Sequence, residues 1–163
     1  MSWPSASTSE GVPAQAIQEN KTRFMRYLIA FLAVAGIVVS TLALRVHYSN
    51  DDQPCDINAH WDCGVVNHSR YSVFHHIPVA AIGIAGYLVL GIAALARRRA
   101  FTFAAALIGL GFSLYLTNIE AHKLEVYCLY CVISQGIIGL ITLCSLIWLF
   151  LRSKQAAPRL PSR

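Results

Sequence analysis

The sequence predicts an all-α membrane protein, a bundle of four transmembrane helices. Composition is the first observation behind this: of 163 residues, 56% are hydrophobic and 13% charged, about half the charged fraction of a soluble domain. The second is a set of four apolar runs, at residues 27–44, 77–96, 101–116 and 132–151, to be set against the ~20 apolar residues that cross a bilayer. The third is where the cations fall. Lys21, Arg23 and Arg26 precede the first run, Arg97, Arg98 and Arg99 join the second to the third, and Arg152, Lys154, Arg159 and Arg163 follow the fourth; only Arg45, Arg70 and Lys123 lie in the alternate segments. Positive residues stay on the cytoplasmic side, so both termini and the Arg97–Arg99 turn are expected there, with residues 45–76 and 118–127 facing outward.

Residues 1–26 form a polar leader, rich at its start in Ser, Ala and Pro, and are expected to be a disordered cytoplasmic segment. The first run is followed by RVHYSNDD and no small-residue cleavage site, so it is expected to stay as an anchor and not to be removed as a signal peptide. The third run is short, and Ala100 and Thr117–Asn118 extend it at little cost. Residues 27–151 are the membrane domain and 152–163 a cytoplasmic tail. Tyr27 and Trp148 fit an aromatic belt at the cytoplasmic edge. The net charge of +5 is accounted for by topology, and no nucleic-acid partner is implied; the lipid bilayer is the partner the composition calls for.

Of five cysteines, Cys55, Cys63, Cys128 and Cys131 fall in or beside the outward segments, where disulfides form and persist. Cys128 and Cys131 stand three apart at the start of the last run. Residues i and i+3 share a helix face, and a helix N-terminus favours a thiolate. The apolar surroundings suit a lipid-soluble electron carrier. Cys55 and Cys63 bracket the polar CDINAHWDC, which reads as a mobile loop: a weak staple, but able to bring a thiolate to another disulfide. Four cysteines allow three connectivities. Cys144, deep in the last run, reads as a buried small hydrophobe.

The spaced pair in the first outer loop, CGVVNHSRYS with Ser69 after Cys63, IPVAAIG, and YCLYC opening the last run together resemble the vitamin K epoxide reductase family, in its bacterial form, over most of the chain. The resemblance implies four helices around a quinone, with a short interfacial half-helix, residues 64–76, capping the pocket from the first outer loop. It implies a catalytic set in which Cys131 faces the quinone, Cys128 is its disulfide partner, Cys63 is the inner shuttle cysteine and Cys55 the outer one. Ser69, Val66, Phe74, Val79, Gly83 and Gln135 are the expected quinone-binding residues. Val79 stands where the animal enzymes carry an asparagine, which counts against epoxide reduction. Gln135 replaces a tyrosine and still offers an amide donor.

The activity so implied is that of a thiol–disulfide oxidoreductase of the bacterial inner membrane. Electrons would pass from an extracytoplasmic thioredoxin-like (DsbA-like) protein through Cys55/Cys63 to Cys128/Cys131 and then to ubiquinone or menaquinone, with no metal. The form expected is the one without a fused thioredoxin-like domain after the last run. Vitamin K quinone or epoxide reduction by the same cysteines is the near alternative. The other bacterial four-helix disulfide oxidase carries its Cys-x-x-Cys in the first outer segment, the reverse order. Two readings lie outside this class: a zinc site using His60 and the thiolates, and a structural membrane protein with incidental disulfides. His75 and His76 are expected at the interface where the cap meets the second run.

Overall fold

The computed structural model describes residues 14–49, 55, 56, 58 and 60–153. It is built from five helices: α1 (Ala14–Tyr48), α2 (Cys63–His68), α3 (Val79–Leu95), α4 (Arg99–Ile119) and α5 (Leu129–Ser153). A 3-10 turn (Arg70–Ser72) and a two-stranded ribbon, β1 (Val73–Phe74) with β2 (Ile77–Pro78), lead from α2 into α3. A π-helical turn (Glu120–Leu124) extends α4.

Among the described residues three spans are long and apolar enough to cross a membrane, Glu19–Tyr48, Arg99–Leu124 and Leu129–Leu151; Val79–Leu95 is a shorter apolar helix. At 1.5 Å per residue the 17 residues of α3 reach about 26 Å, a little under a hydrocarbon core. Helices α1, α3, α4 and α5 form the expected all-α membrane bundle. α1 packs against α3 and α5, α4 packs against α5, and the α3–α4 seam is the loosest. The bundle interior holds Ile29, Ala33, Tyr87, Leu90, Ala94, Ala106, Ile138, Ile141 and Trp148, while Phe31, Leu88, Ile108 and Leu143 point outward, as helices solvated by lipid require.

Small residues set the α1–α3 crossing. A methyl group at Gly36 would lie 2.5 Å from the Tyr87 ring, and one at Gly83 would lie 2.9 Å from Ser40 Oγ. Between membrane helices such small contacts let backbones approach, where the hydrophobic effect supplies no drive. The α3–α4 turn is equally compact. Arg97 takes a left-handed φ of 60°, Arg98 N–H donates to Ala93 O at 3.0 Å and Arg97 N–H to Ala94 O at 3.1 Å, the two bonds of a Schellman stop.

Several expectations change. α1 begins at Ala14, so residues 14–26, expected within a disordered leader, are helical; AQAIQENK is made of good helix formers. Residues 1–13 and 154–163, the rest of the expected leader and tail, lie outside the described residues. Residues 64–76 are not one half-helix: α2 stops at His68, and the chain turns through a hairpin whose two loop residues, His75 (φ 48°) and His76 (φ 66°), are both left-handed, the requirement of a tight two-residue turn. The expected outer loop 118–127 is largely the continuation of α4 and its π-helical turn, ended by Glu125 at φ 56°. Trp148, expected in an interfacial belt, is fully buried, under the Arg99 guanidinium at 5.1 Å.

Candidate functional site

At one end of the bundle the chain brings Cys55, Cys63 and Cys128 into a single buried cluster with Val46 and Val66, and Cys131 packs against it. Backbone hydrogen bonds explain the juxtaposition. Tyr127 N–H donates to His60 O at 2.8 Å and Asp62 N–H donates to Tyr127 O at 3.1 Å, so Trp61 and Tyr127 form a parallel bridge and their rings sit 5.9 Å apart. Cys63 follows Asp62, and Cys128 follows Tyr127. Stitching 60–62 to 127 therefore sets Cys63 beside Cys128.

Cys55 and Cys63 form a disulfide with Cα atoms 5.8 Å apart; Cys128, Cys131 and Cys144 are free thiols. The loop pair differs from the exposed, mobile segment expected. Both residues are buried, and Cys63 opens α2. Asp62 caps that helix by accepting from Val65 N–H at 2.8 Å. Asp56 Oδ1 accepts from Cys63 N–H at 2.8 Å and from Gly64 N–H at 3.2 Å. Cys55, Asp56 and Cys63 place one potential metal-ligand atom each within 4.8 Å of one another; in the oxidised pair the two sulfurs are bonded to each other and neither is a thiolate.

Cys128 is fully buried and lies just ahead of α5. Its thiol sits below the ordinary range. The hydrogen bond from Cys131 is the largest cause, with a smaller one from Asn67; burial and the Glu120 carboxylate oppose them. Asn67 Nδ2 also holds the Cys63 carbonyl at 2.9 Å. The thiol that adjoins the loop disulfide is thus one whose thiolate is favoured, the form that takes part in thiol–disulfide exchange.

Cys131 faces the other way and lines a cavity of about 380 Å³. The cavity runs along the loose α3–α4 seam. Of the expected quinone-binding residues, Val66, Ser69, Val79 and Gly83 line it. Phe74 and Gln135 are not brought to it: Phe74 is exposed on β1 with its ring against His75, and Gln135 accepts a hydrogen bond from Thr117, which does line the cavity. The walls are mainly apolar, with Ser113, Thr117 and Ser134 among the polar exceptions. Such a cavity fits a flat apolar ring bearing carbonyls.

Sequence reasoning missed three polar residues here. Tyr87 donates to Ser134 O at 2.8 Å across the bundle. Asn67 is four positions after Cys63, on the same face of α2. Glu120, 3% exposed, lines the cavity and accepts from Cys128 N–H at 3.3 Å. Glu120 alone left a signal, as the one acidic residue closing an apolar run. Cys144 is half-buried against the bundle core, in keeping with its expected role as a small hydrophobe.

A disulfide in contact with a dithiol at the end of an apolar helical bundle defines a membrane thiol–disulfide oxidoreductase. Comparison with known families agrees: residues 27–147 match the model of the Vitamin K epoxide reductase family. The chain belongs to that family. No curated protein matches it.

Proposed function

We propose that the protein is a quinone-reducing thiol–disulfide oxidoreductase that supports disulfide formation outside the cytoplasm. The single observation that carries this is the division of labour between the two thiols of the Cys-x-x-Cys pair: Cys128 is buried against the Cys55–Cys63 disulfide and Cys131 opens onto the apolar cavity. A reduced thioredoxin-like protein attacks Cys55, releasing Cys63 as a thiolate. The loop dithiol then reduces the oxidised Cys128–Cys131 pair through Cys63 and Cys128. The regenerated dithiol reduces a ubiquinone or menaquinone in the cavity and becomes a disulfide again. Two electrons and two protons pass at each stage. Val66, Ser69, Val79 and Gly83 form part of the quinone wall, and Gln135 supports it from outside by holding Thr117. The arginine-rich side is cytoplasmic, the cysteines face outward, and the membrane is a bacterial inner membrane.

The test is purified protein in detergent, with quinone reduction followed optically. Cys131→Ala abolishes turnover with any reductant. Cys55→Ala stops turnover driven by a reduced thioredoxin-like protein but spares turnover driven by dithiothreitol. Full activity in Cys131→Ala would refute the relay.

A further inference from the structure

Reduction of a quinone by a dithiol moves protons as well as electrons, and the cysteines alone provide no group to accept one at the cavity wall. Glu120 occupies that place. It is 3% exposed and lines the cavity together with Cys131. One carboxylate oxygen accepts from Cys128 N–H at 3.3 Å, which fixes the group to the start of α5. The π-helical turn that begins at Glu120 carries α4 past its regular end, and such turns collect at functional positions. A carboxyl group so enclosed by apolar surface has a desolvation cost, and no described cation pairs with it.

We infer that Glu120 is a catalytic residue, the general base that takes the Cys131 proton and returns it to the reduced quinone. This rests on the quinone-reducing reading above. Starting from the dithiol, Glu120 removes the Cys131 proton. The Cys128–Cys131 disulfide forms as the two S–H bonds break, and the electron pair goes to the quinone. One quinol proton is the Cys131 proton handed on by Glu120. The other balances the proton that Cys128 releases. The pair is oxidised, the quinone reduced, and Glu120 ends as it began.

The competing role is structural, since Glu120 also caps α5. Glu120→Gln separates the two: the amide oxygen still accepts from Cys128 N–H, but the group no longer accepts a proton at neutral pH. Two single-turnover rates are measured, transfer from the reduced loop pair to Cys128–Cys131, and quinone reduction by the reduced Cys128–Cys131 pair. In Glu120→Gln the second falls about 100-fold, the low end of general acid–base catalysis, while the first stays within a few-fold of wild type. Glu120→Asp recovers at least part of the second. An unchanged quinone rate in Glu120→Gln, or an equal loss in both steps, overturns the proposal. A wild-type protein that exchanges thiols yet reduces no quinone would instead refute the functional reading on which it stands.

Discussion

Asn67 Nδ2 lies 3.5 Å from Cys128 Sγ, linking positions 61 apart in the chain. The same amide nitrogen donates to the carbonyl of Cys63 at 2.9 Å. One side chain thus touches both cysteines between which the proposed relay runs. It helps hold the Cys128 thiol below its ordinary range, so the thiolate persists to lower pH than in a free cysteine. Removing the donor by Asn67→Ala raises that pKa, and the rising limb of the reverse exchange, attack of the Cys128 thiolate on the Cys55–Cys63 disulfide, moves to higher pH. With a net hydrogen bond worth about 1 kcal/mol, exchange at neutral pH slows about fivefold. Glu120 pushes the same thiol in the opposite sense, so Glu120→Gln moves the limb of that step to lower pH. Rapid acid quench across a pH series measures both. A limb unmoved in Asn67→Ala would remove the amide from the mechanism.

The exchange intermediate should be trappable, and its identity is set by the backbone. Asp62 N–H binds Tyr127 O, the residue that follows each of these is a cysteine, and Cys63 is therefore expected to exchange with Cys128 in preference to Cys55. In Cys55→Ala/Cys131→Ala each relay pair loses one partner, and mild oxidation joins Cys63 to Cys128. Disulfide mapping by mass spectrometry reads the product. The converse variant, Cys63→Ala/Cys131→Ala, gives a much lower yield of a Cys55–Cys128 bridge. Equal yields from the two would mean the loop swings freely.

The four spans were legible in the sequence because a run of apolar residues needs no partner to be recognised, and the cysteines because their chemistry is carried by residue type and spacing. What tertiary contact decides was not legible. CDINAHWDC is polar and reads as mobile, yet Asp56 and Asp62 accept from the first amides of α2, and the cysteines at its two ends are buried. The two-residue strands around His75 and His76 are too short for a period-two pattern. Residues 14–26 have helical propensity, but their polar composition resembles a disordered segment when no apolar stripe marks them. Asn67 and Tyr87 gain their roles only from residues far along the chain, Cys128 and Ser134.

Gly36 and Gly83 look alike in sequence and differ in what a methyl group would meet. At Gly36 it would enter the Tyr87 ring at 2.5 Å, and that ring is fixed by the hydroxyl's bond to Ser134. At Gly83 it would meet Ser40 Oγ at 2.9 Å, a hydroxyl that turns aside by rotation of one bond. Gly36→Ala is therefore expected to cost about 2 kcal/mol, the usual range for overpacking, and Gly83→Ala well under half of that. Thermal unfolding in detergent gives the order. Because Tyr87 also lines the cavity, Gly36→Ala raises the KM for quinone as well. Equal melting temperatures for the two variants would show that the α1–α3 crossing relaxes more readily than the contact distances imply.

Asp56 is expected to govern the loop disulfide without supporting the bundle. Its Oδ1 accepts from the amides of Cys63 and Gly64, and the Cys63 side is buried. Asp56→Ala leaves both amides without that acceptor, at a cost of about 1–3 kcal/mol, and the cost falls on α2 because the long helices make no use of these bonds. Hydrogen exchange at residues 63–68 therefore quickens by at least tenfold, while protection in α3 and α4 is unchanged. With α2 loosened, Cys63 spends less time against Cys128, so transfer between the two pairs slows although the Cys128–Cys131 dithiol still reduces quinone at the wild-type rate. Asp56→Asn, which keeps an oxygen acceptor but not its charge, falls between the two. Uniform loss of protection through α3 and α4 would instead make Asp56 a support of the whole fold.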